Sequence, residues 1–278
     1  MTTVFKTLVP IILSIALALT SCSTNDDGIT VAEPSTIKNT TDLDDYLGEL
    51  VQTTAVPGMA ISVVKGNSIV YQRSFGYANI QNQLAYTNET INSVASVSKT
   101  FVGAAVAKAI EQGYFTLETN INDILPVDVI NPKQPNGVIK IKHLVTHTSG
   151  LVDVPEVYLA YNYHILPGED IATAGADLLM NQVGIEQRES YSLEEFMANY
   201  FLEDGDLYSL DNFADTPPGS GWSYSNLATG LAGYIIETVT GQSFDDYVKG
   251  NILQPLQMNA STYDISEINR DEMATRYI

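Results

Sequence analysis

The sequence predicts a mixed α/β fold, and three observations carry that expectation. An amphipathic stretch over 41–54 leads into two short apolar runs, 59–64 and 68–75, separated only by Lys65-Gly66-Asn67. That pattern reads as a helix followed by a hairpin. Beyond it the chain changes character. Long apolar segments at 101–110 and 226–239 are bounded by the residues that start and stop helices. A length of 278 residues allows one large domain or two smaller ones with ample material for a core.

The elements can be justified in chain order. Lys6 followed by the apolar run from Leu8 to Leu19 is a targeting pattern, too short to span a bilayer comfortably. Residues 1–22 are therefore expected to be a signal peptide. Its end, Leu19-Thr20-Ser21-Cys22, resembles the lipobox of bacterial lipoproteins. The resemblance implies lipidation of Cys22, a membrane partner through that anchor, and residence in the bacterial cell envelope, at the outer membrane. The acidic residues Asp26 and Asp27 resemble a surface-export signal of some Gram-negative lipoproteins. Cys22 is the only cysteine, so no disulfide can form within the chain. Residues 23–40 are polar and read as a flexible tether.

Within 41–54, Leu43, Leu47, Leu50 and Val51 share one helical face. Pro57-Gly58 ends that segment, and the hairpin follows. After the apolar helix that stops near Gly113, Ile121 to Pro126 form a short element. Ile139 to Val145 lead into His147-Thr148-Ser149-Gly150-Leu151. The stretch 152–190 is rich in tyrosine and weakly periodic, so it is expected to be helical or looped. Ser192 with Glu195 forms a capping box opening a helix to about Phe201. Thr216-Pro217-Pro218-Gly219-Ser220-Gly221 is a rigid turn. An apolar helix then runs from Asn226 to about Val239, stopped by Gly241. Ser243 with Asp246 caps a last helix reaching about Leu253. No internal repeat is visible.

Chemistry enters at Ser96 and Lys99. A serine needs a base beside it to act as a nucleophile at neutral pH. Residues three apart on a helix lie about 5–6 Å apart at Cβ, so the lysine can touch the hydroxyl. The helix that follows is apolar on nearly all sides and is expected to be buried on all of them. Ser96 would then sit at its N-terminus, where the macrodipole favours developing negative charge. Ser-x-x-Lys alone is a cheap motif and occurs three times here. Ser35 and Lys38 lie in a polar stretch. Ser62 and Lys65 lie on a strand, where a spacing of three points them to opposite faces.

Tyr224-Ser225-Asn226 supplies what Ser96 and Lys99 lack. A phenol coupled to a lysine can act as general base, and an asparagine amide can bind a substrate carbonyl. Tyr77 with Asn79 and Tyr86 with Asn88 share the spacing, but only the copy at 224 follows the Pro-Pro-Gly turn and precedes a buried helix. These two motifs in this order resemble the serine β-lactamase and penicillin-binding-protein superfamily, in its class C β-lactamase and D-alanyl-D-alanine peptidase branch. Further stretches are similar to it: Val56 to Val63, Val94 to Phe101, His143 to Leu151, and Pro218 to Ala228.

The resemblance implies an antiparallel sheet flanked by helices plus a mostly helical lobe over roughly 80–240, within one hydrolase domain at 41–278. It implies catalysis by Ser96, Lys99 and Tyr224, substrate binding by Asn226, a small-molecule or peptide substrate, and no cofactor. The family's third motif, Lys-Thr-Gly or His-x-Gly on a strand, has no counterpart. The expectation is therefore a chain truncated at its C-terminus, with the C-terminal strands missing and activity doubtful in isolation. The competing expectation is a lipoprotein that binds cell-wall peptides or a protein partner through the same cleft without catalysis.

Other chemistry fares worse. A net charge of −20 argues against nucleic acid, whose phosphates need clustered Lys and Arg. His143 and His147 are four apart, but Leu144 stands where a zinc-protease motif needs Glu, and no third ligand is evident. The tyrosines between 158 and 163 fit packing or a substrate cleft.

Overall fold

The computed structural model describes residues 37–277. The expected signal peptide, Cys22, Ser35 and most of the expected tether lie outside these residues. The chain forms two compact units. One runs through Ser93 and is completed by residues from Asn269 onward; the other is Val94–Ile268.

The first unit opens with helix α1 (Thr40–Thr53), capped by Asn39, whose side chain accepts from the amides of Thr41 and Asp42. Strands β1 (Gly58–Lys65) and β2 (Ser68–Asn79) pair antiparallel, with Val63 opposite Tyr71 and a register shift between Val63 and Val64. Gly66 and Asn67 both take positive φ, the geometry of a tight two-residue hairpin. β2 runs four residues beyond its expected end and there pairs with a two-residue strand β3 (Leu84–Ala85), giving the order β1-β2-β3. Helix α1 packs on β2, where the Tyr71 hydroxyl donates to Asp44 at 2.6 Å. The end of the chain closes this unit. Ala274 donates to the Ile91 carbonyl, and Thr275 to that of Ala78.

The second unit is mostly helical. It contains α2 (Lys99–Glu111), α3 (Ile141–Val145), α4 (Pro155–Asn162), α5 (Ala174–Leu178), α6 (Leu193–Phe201), α7 (Asn226–Thr240) and α8 (Phe244–Val248). Helix α7 is its centre and packs against α2, α3, α6 and α8. Leu231, Ile235 and Ile236 on α7 are completely buried. The mixed α/β class with an antiparallel sheet and helices is the architecture the sequence predicts. The boundaries of α6 and α7 follow from their caps. The reciprocal Ser192–Glu195 capping box is formed, and Gly241 ends α7 in the left-handed conformation.

Helix α2 departs from expectation. Val102, Ala105, Val106 and Ala109 are buried, but Gly103 and Ala107 are exposed. Those residues count as apolar, yet they carry so little side-chain area that leaving them in water costs little. The segment 152–190 resolves into α4, α5 continued by a π-helical turn at Leu179–Val183, and loops drawn together at a neck. There the Ile165 amide donates to Glu186, and the Arg188 amide donates back to Ile165.

Candidate active site

Ser96 does not lie on the α-helix itself. It sits on a single 3-10 turn, Ala95–Ser98, that feeds α2. Ala95 holds φ at +44°, a left-handed conformation that a residue with a Cβ adopts at a cost of about 1–3 kcal/mol. The bend turns the serine out of the helix line and leaves it exposed. Two bonds tie the turn down: Ser98 Oγ donates to the Ala95 carbonyl, and the Tyr263 hydroxyl donates to that of Ser98 at 2.7 Å.

Three predicted residues meet at the Ser96 hydroxyl. Lys99 Nζ donates to Ser96 Oγ at 3.1 Å, and the Tyr224 hydroxyl donates to the same oxygen at 2.9 Å. Lys99 Nζ also lies 5.0 Å from the centre of the Tyr224 ring. Burial pushes the Tyr224 phenol up, but hydrogen bonding to Lys99 and Ser96 together with the lysine charge outweighs it. The net pKa is below that of free tyrosine. Loss of the phenol proton would reverse the 2.9 Å contact, with the serine hydroxyl donating to phenolate. The arrangement can therefore take a proton from a serine as it attacks a carbonyl. The other Ser-x-x-Lys copy in the described residues is built differently: Ser62 is paired along β1 with Gln72.

Asn226 is placed differently from a free substrate-binding amide. Its Nδ2 donates to Asp153 at 2.8 Å, so one of its two N–H bonds is already committed. Asp153 was not singled out by the sequence and organises the whole loop. Its carboxylate accepts from Ser225 Oγ at 2.7 Å, the Asn226 amide at 2.7 Å and the Leu227 amide at 3.1 Å as well. Two of these donors are first-turn amides of α7, which have no partner within the helix. A carboxylate there also complements the helix dipole. Ser225, completely buried, caps Ala228 in turn. Asp153 itself is fixed by its neighbours. The buried Tyr200 hydroxyl donates to the Val152 carbonyl at 2.8 Å and accepts from the Val154 amide at 2.9 Å.

The histidines serve the same loop. His147 packs against Tyr224 with ring centres 4.5 Å apart and planes tilted by 36° and meets Trp222 edge-on at 6.3 Å, and its Nδ1 accepts from the Ser225 amide at 3.2 Å. Burial and then the Lys99 charge push its pKa down, so the ring is held neutral. His143 Nδ1 accepts from the Lys140 amide, and its Nε2 would lie 3.1 Å from any Cβ added at Gly219. Gly219 holds φ at +85°, so a larger residue in the Pro-Pro-Gly turn would be strained there. Both histidines are thus engaged in shaping the loop. Among the described residues, no group of three or more His, Cys, Asp or Glu converges as a metal site would require. None of the described helices is long and apolar enough to cross a membrane.

The chain is similar to several known proteins. A family model described as Beta-lactamase matches residues 43–277. Protein flp of Staphylococcus aureus (strain MW2) is 25% identical over 221 residues, 80% of this chain and 38% of its own length. Penicillin-binding protein 4* of Bacillus subtilis (strain 168) is 28% identical over 201 residues, 72% of this chain and 36% of its own. Among solved structures, the octameric penicillin-binding protein homologue from Pyrococcus abyssi superposes with a TM-score of 0.67 at 28% identity. That match covers 87% of this chain and 48% of the homologue. The chain thus spans less than half the length of these relatives.

Proposed function

The chain belongs to the beta-lactamase family, and from that premise we propose that it carries the nucleophile and proton-transfer groups of a serine hydrolase. The observation that carries the proposal is Ser96 Oγ held 3.1 Å from Lys99 Nζ and 2.9 Å from the Tyr224 hydroxyl. Ser96 Oγ attacks the carbonyl carbon of an amide or ester while its proton passes to the Tyr224 phenolate. The Ser96 backbone N–H donates to the oxygen that gains charge. The bond to the leaving group breaks as Tyr224 returns the proton to it, leaving an acyl-serine. Water then attacks the acyl carbon as Tyr224 takes its proton, and Tyr224 passes that proton to Ser96 Oγ as the acyl–Oγ bond breaks, releasing the carboxylic acid and restoring the serine hydroxyl and the phenolate. Lys99 keeps the phenol acidic throughout. The remaining Asn226 N–H orients the substrate. A β-lactam, a D-alanyl peptide or a simple ester satisfies this chemistry.

The test is covalent labelling. Treatment with a fluorophosphonate or a penicillin should place one adduct on Ser96, located by mass spectrometry and abolished by Ser96→Ala. Lys99→Ala and Tyr224→Phe should each slow labelling about 10²–10⁴-fold. An adduct that persists in Ser96→Ala overturns the assignment. Complete absence of labelling leaves a cleft that binds cell-wall peptides or a protein without catalysis. The same proposal puts the protein at the outer membrane through a lipid on Cys22. The apolar run ending in Leu19-Thr20-Ser21-Cys22 supports it. Cys22→Ser should block processing or release the protein into soluble fractions, and unchanged membrane association would refute the anchor.

A further inference from the structure

One residue holds Tyr224 from both of its chain neighbours. The Ser223 amide donates to the His147 carbonyl at 2.8 Å, and the Ser225 amide donates to His147 Nδ1 at 3.2 Å. Between these two bonds the His147 ring lies against the Tyr224 ring, with centres 4.5 Å apart. His147 thus brackets the residue whose hydroxyl reaches Ser96 Oγ at 2.9 Å. The bracket needs an unusual backbone. His147 holds φ at +56°, a left-handed conformation that a residue with a Cβ keeps only where its surroundings fix it. Two further bonds supply that fixing. The Thr148 amide donates to the His143 carbonyl at 2.9 Å, and the Gly219 amide donates to the Thr148 carbonyl at 2.7 Å.

We infer that His147 is a positioning residue for Tyr224 that works only with a neutral ring, so that acid frees the Tyr224 loop and shuts off acylation of Ser96. The inference rests on the role proposed for Tyr224. An Nδ1 that accepts carries no proton, so the neutral ring keeps its proton on Nε2. An imidazolium donates from both nitrogens. Its Nδ1–H would face the Ser225 N–H, donor against donor, and that bond would break. Ionisable groups face the ring from three places: Lys99 on α2, Asp153 ahead of α4, and Tyr224 itself. Burial and the Lys99 charge oppose protonation and outweigh the pull of Asp153, so the bracket is closed near neutral pH. His143, four positions earlier, faces Gly219 of the same turn and is the other ring through which acid could reach the loop.

The experiment follows fluorophosphonate labelling of Ser96 in the whole chain as pH is lowered, over the range in which circular dichroism is unchanged. Fluoride leaves without a proton, so the rate reports the base step alone. Loss of phenolate by itself lowers the logarithm of the rate by about 1 per pH unit. Once His147 takes up its proton the fall should steepen to about 2 per unit, at a pH below about 6.5. His147→Asn keeps an acceptor oxygen near the Nδ1 position, tolerates the left-handed backbone and cannot be protonated. Its slope should stay near that of phenolate loss alone, whatever its absolute rate. His147→Gly tolerates the same backbone but offers no side-chain acceptor. At about pH 8 the Asn variant should label about fivefold faster than the Gly variant, the worth of one hydrogen bond. A wild-type slope that never steepens, a steepening that persists in His147→Asn and so belongs to His143 or another group, or equal rates in the two variants overturns the inference and leaves the serine assignment standing. Absence of labelling at every pH overturns the serine assignment instead, and His147 is then judged by NMR. The Ser225 amide and Tyr224 ring resonances should shift together, with one midpoint below about pH 6.5, in the wild type and not in His147→Asn. Resonances that stay fixed in the wild type overturn the inference as well.

Discussion

Removing the carboxylate of Asp153 should both destabilise the second unit and disable the serine. In Asp153→Ala four donors lose their acceptor: Ser225 Oγ, the amides of Asn226 and Leu227, and Asn226 Nδ2. Asn226 is half-buried and its amide can turn to water, so that bond contributes little to the balance. The Ser225 hydroxyl is completely buried, and the two backbone amides open α7. Each donor left without a partner costs about 1 kcal/mol or somewhat more. Loss of the charge at the helix start adds about 0.3–1 kcal/mol. The expected destabilisation is about 3–4 kcal/mol, read as a lower urea midpoint with an unchanged slope in circular dichroism. For a unit of this size the melting temperature should fall by about 6–15 °C. Asp153→Asn keeps one acceptor oxygen and should lose about half as much. Tyr224 precedes the freed residues directly, so Ser96 labelling should slow as well, at temperatures where the variant remains folded. A loss below about 1 kcal/mol with unchanged labelling would refute the view that Asp153 holds the loop.

Two pH dependences follow. Because Lys99 and Ser96 together hold the Tyr224 phenol below its ordinary value despite burial, Ser96 labelling should rise with pH to a midpoint below about 10. Lys99→Ala should move that midpoint upward, and a wild-type midpoint at or above that of free tyrosine would contradict the coupling. The three histidines, His143, His147 and His164, are all pushed below their ordinary pKa, with burial the first cause of each. The unfolded chain therefore takes up their protons first. Their contribution to stability is complete above about pH 6.5 and is lost as pH falls towards the folded values. Urea midpoints should drop between pH 7 and pH 5, and a flat profile would show that these rings titrate freely in the fold.

What the sequence disclosed and what it hid divide by range. Ser192 and Glu195 are three residues apart, and Ser225 lies next to the helix it caps, so local rules suffice for both. The Ser96–Lys99 contact is also local, spanning one turn. Tyr224 reaches Ser96 across 128 positions, and only the order of motifs within the family resemblance linked them. Asp153 had no such cue. It is one of 33 acidic residues, its donors lie more than 70 positions away, and no spacing rule connects them. β3 has only two residues, both exposed, and so carries no apolar run to betray a strand. The 3-10 turn at Ser96 depends on a positive φ at Ala95, a residue type that normally argues for helix.

The neck at Ile165 and Arg188 has a practical consequence for redesign. Because two backbone bonds pinch the chain there, the residues from 166 to 186 begin and end at nearly the same point. Doubling the length of such a closed loop adds only about 0.6 kcal/mol of closure entropy. Asp153 and Tyr200, which hold the serine's partners, lie outside it on either side. Grafted or randomised sequences inserted between the pinch points should thus be tolerated while Asp153 and Tyr200 keep their contacts, making this loop a natural place for insertions.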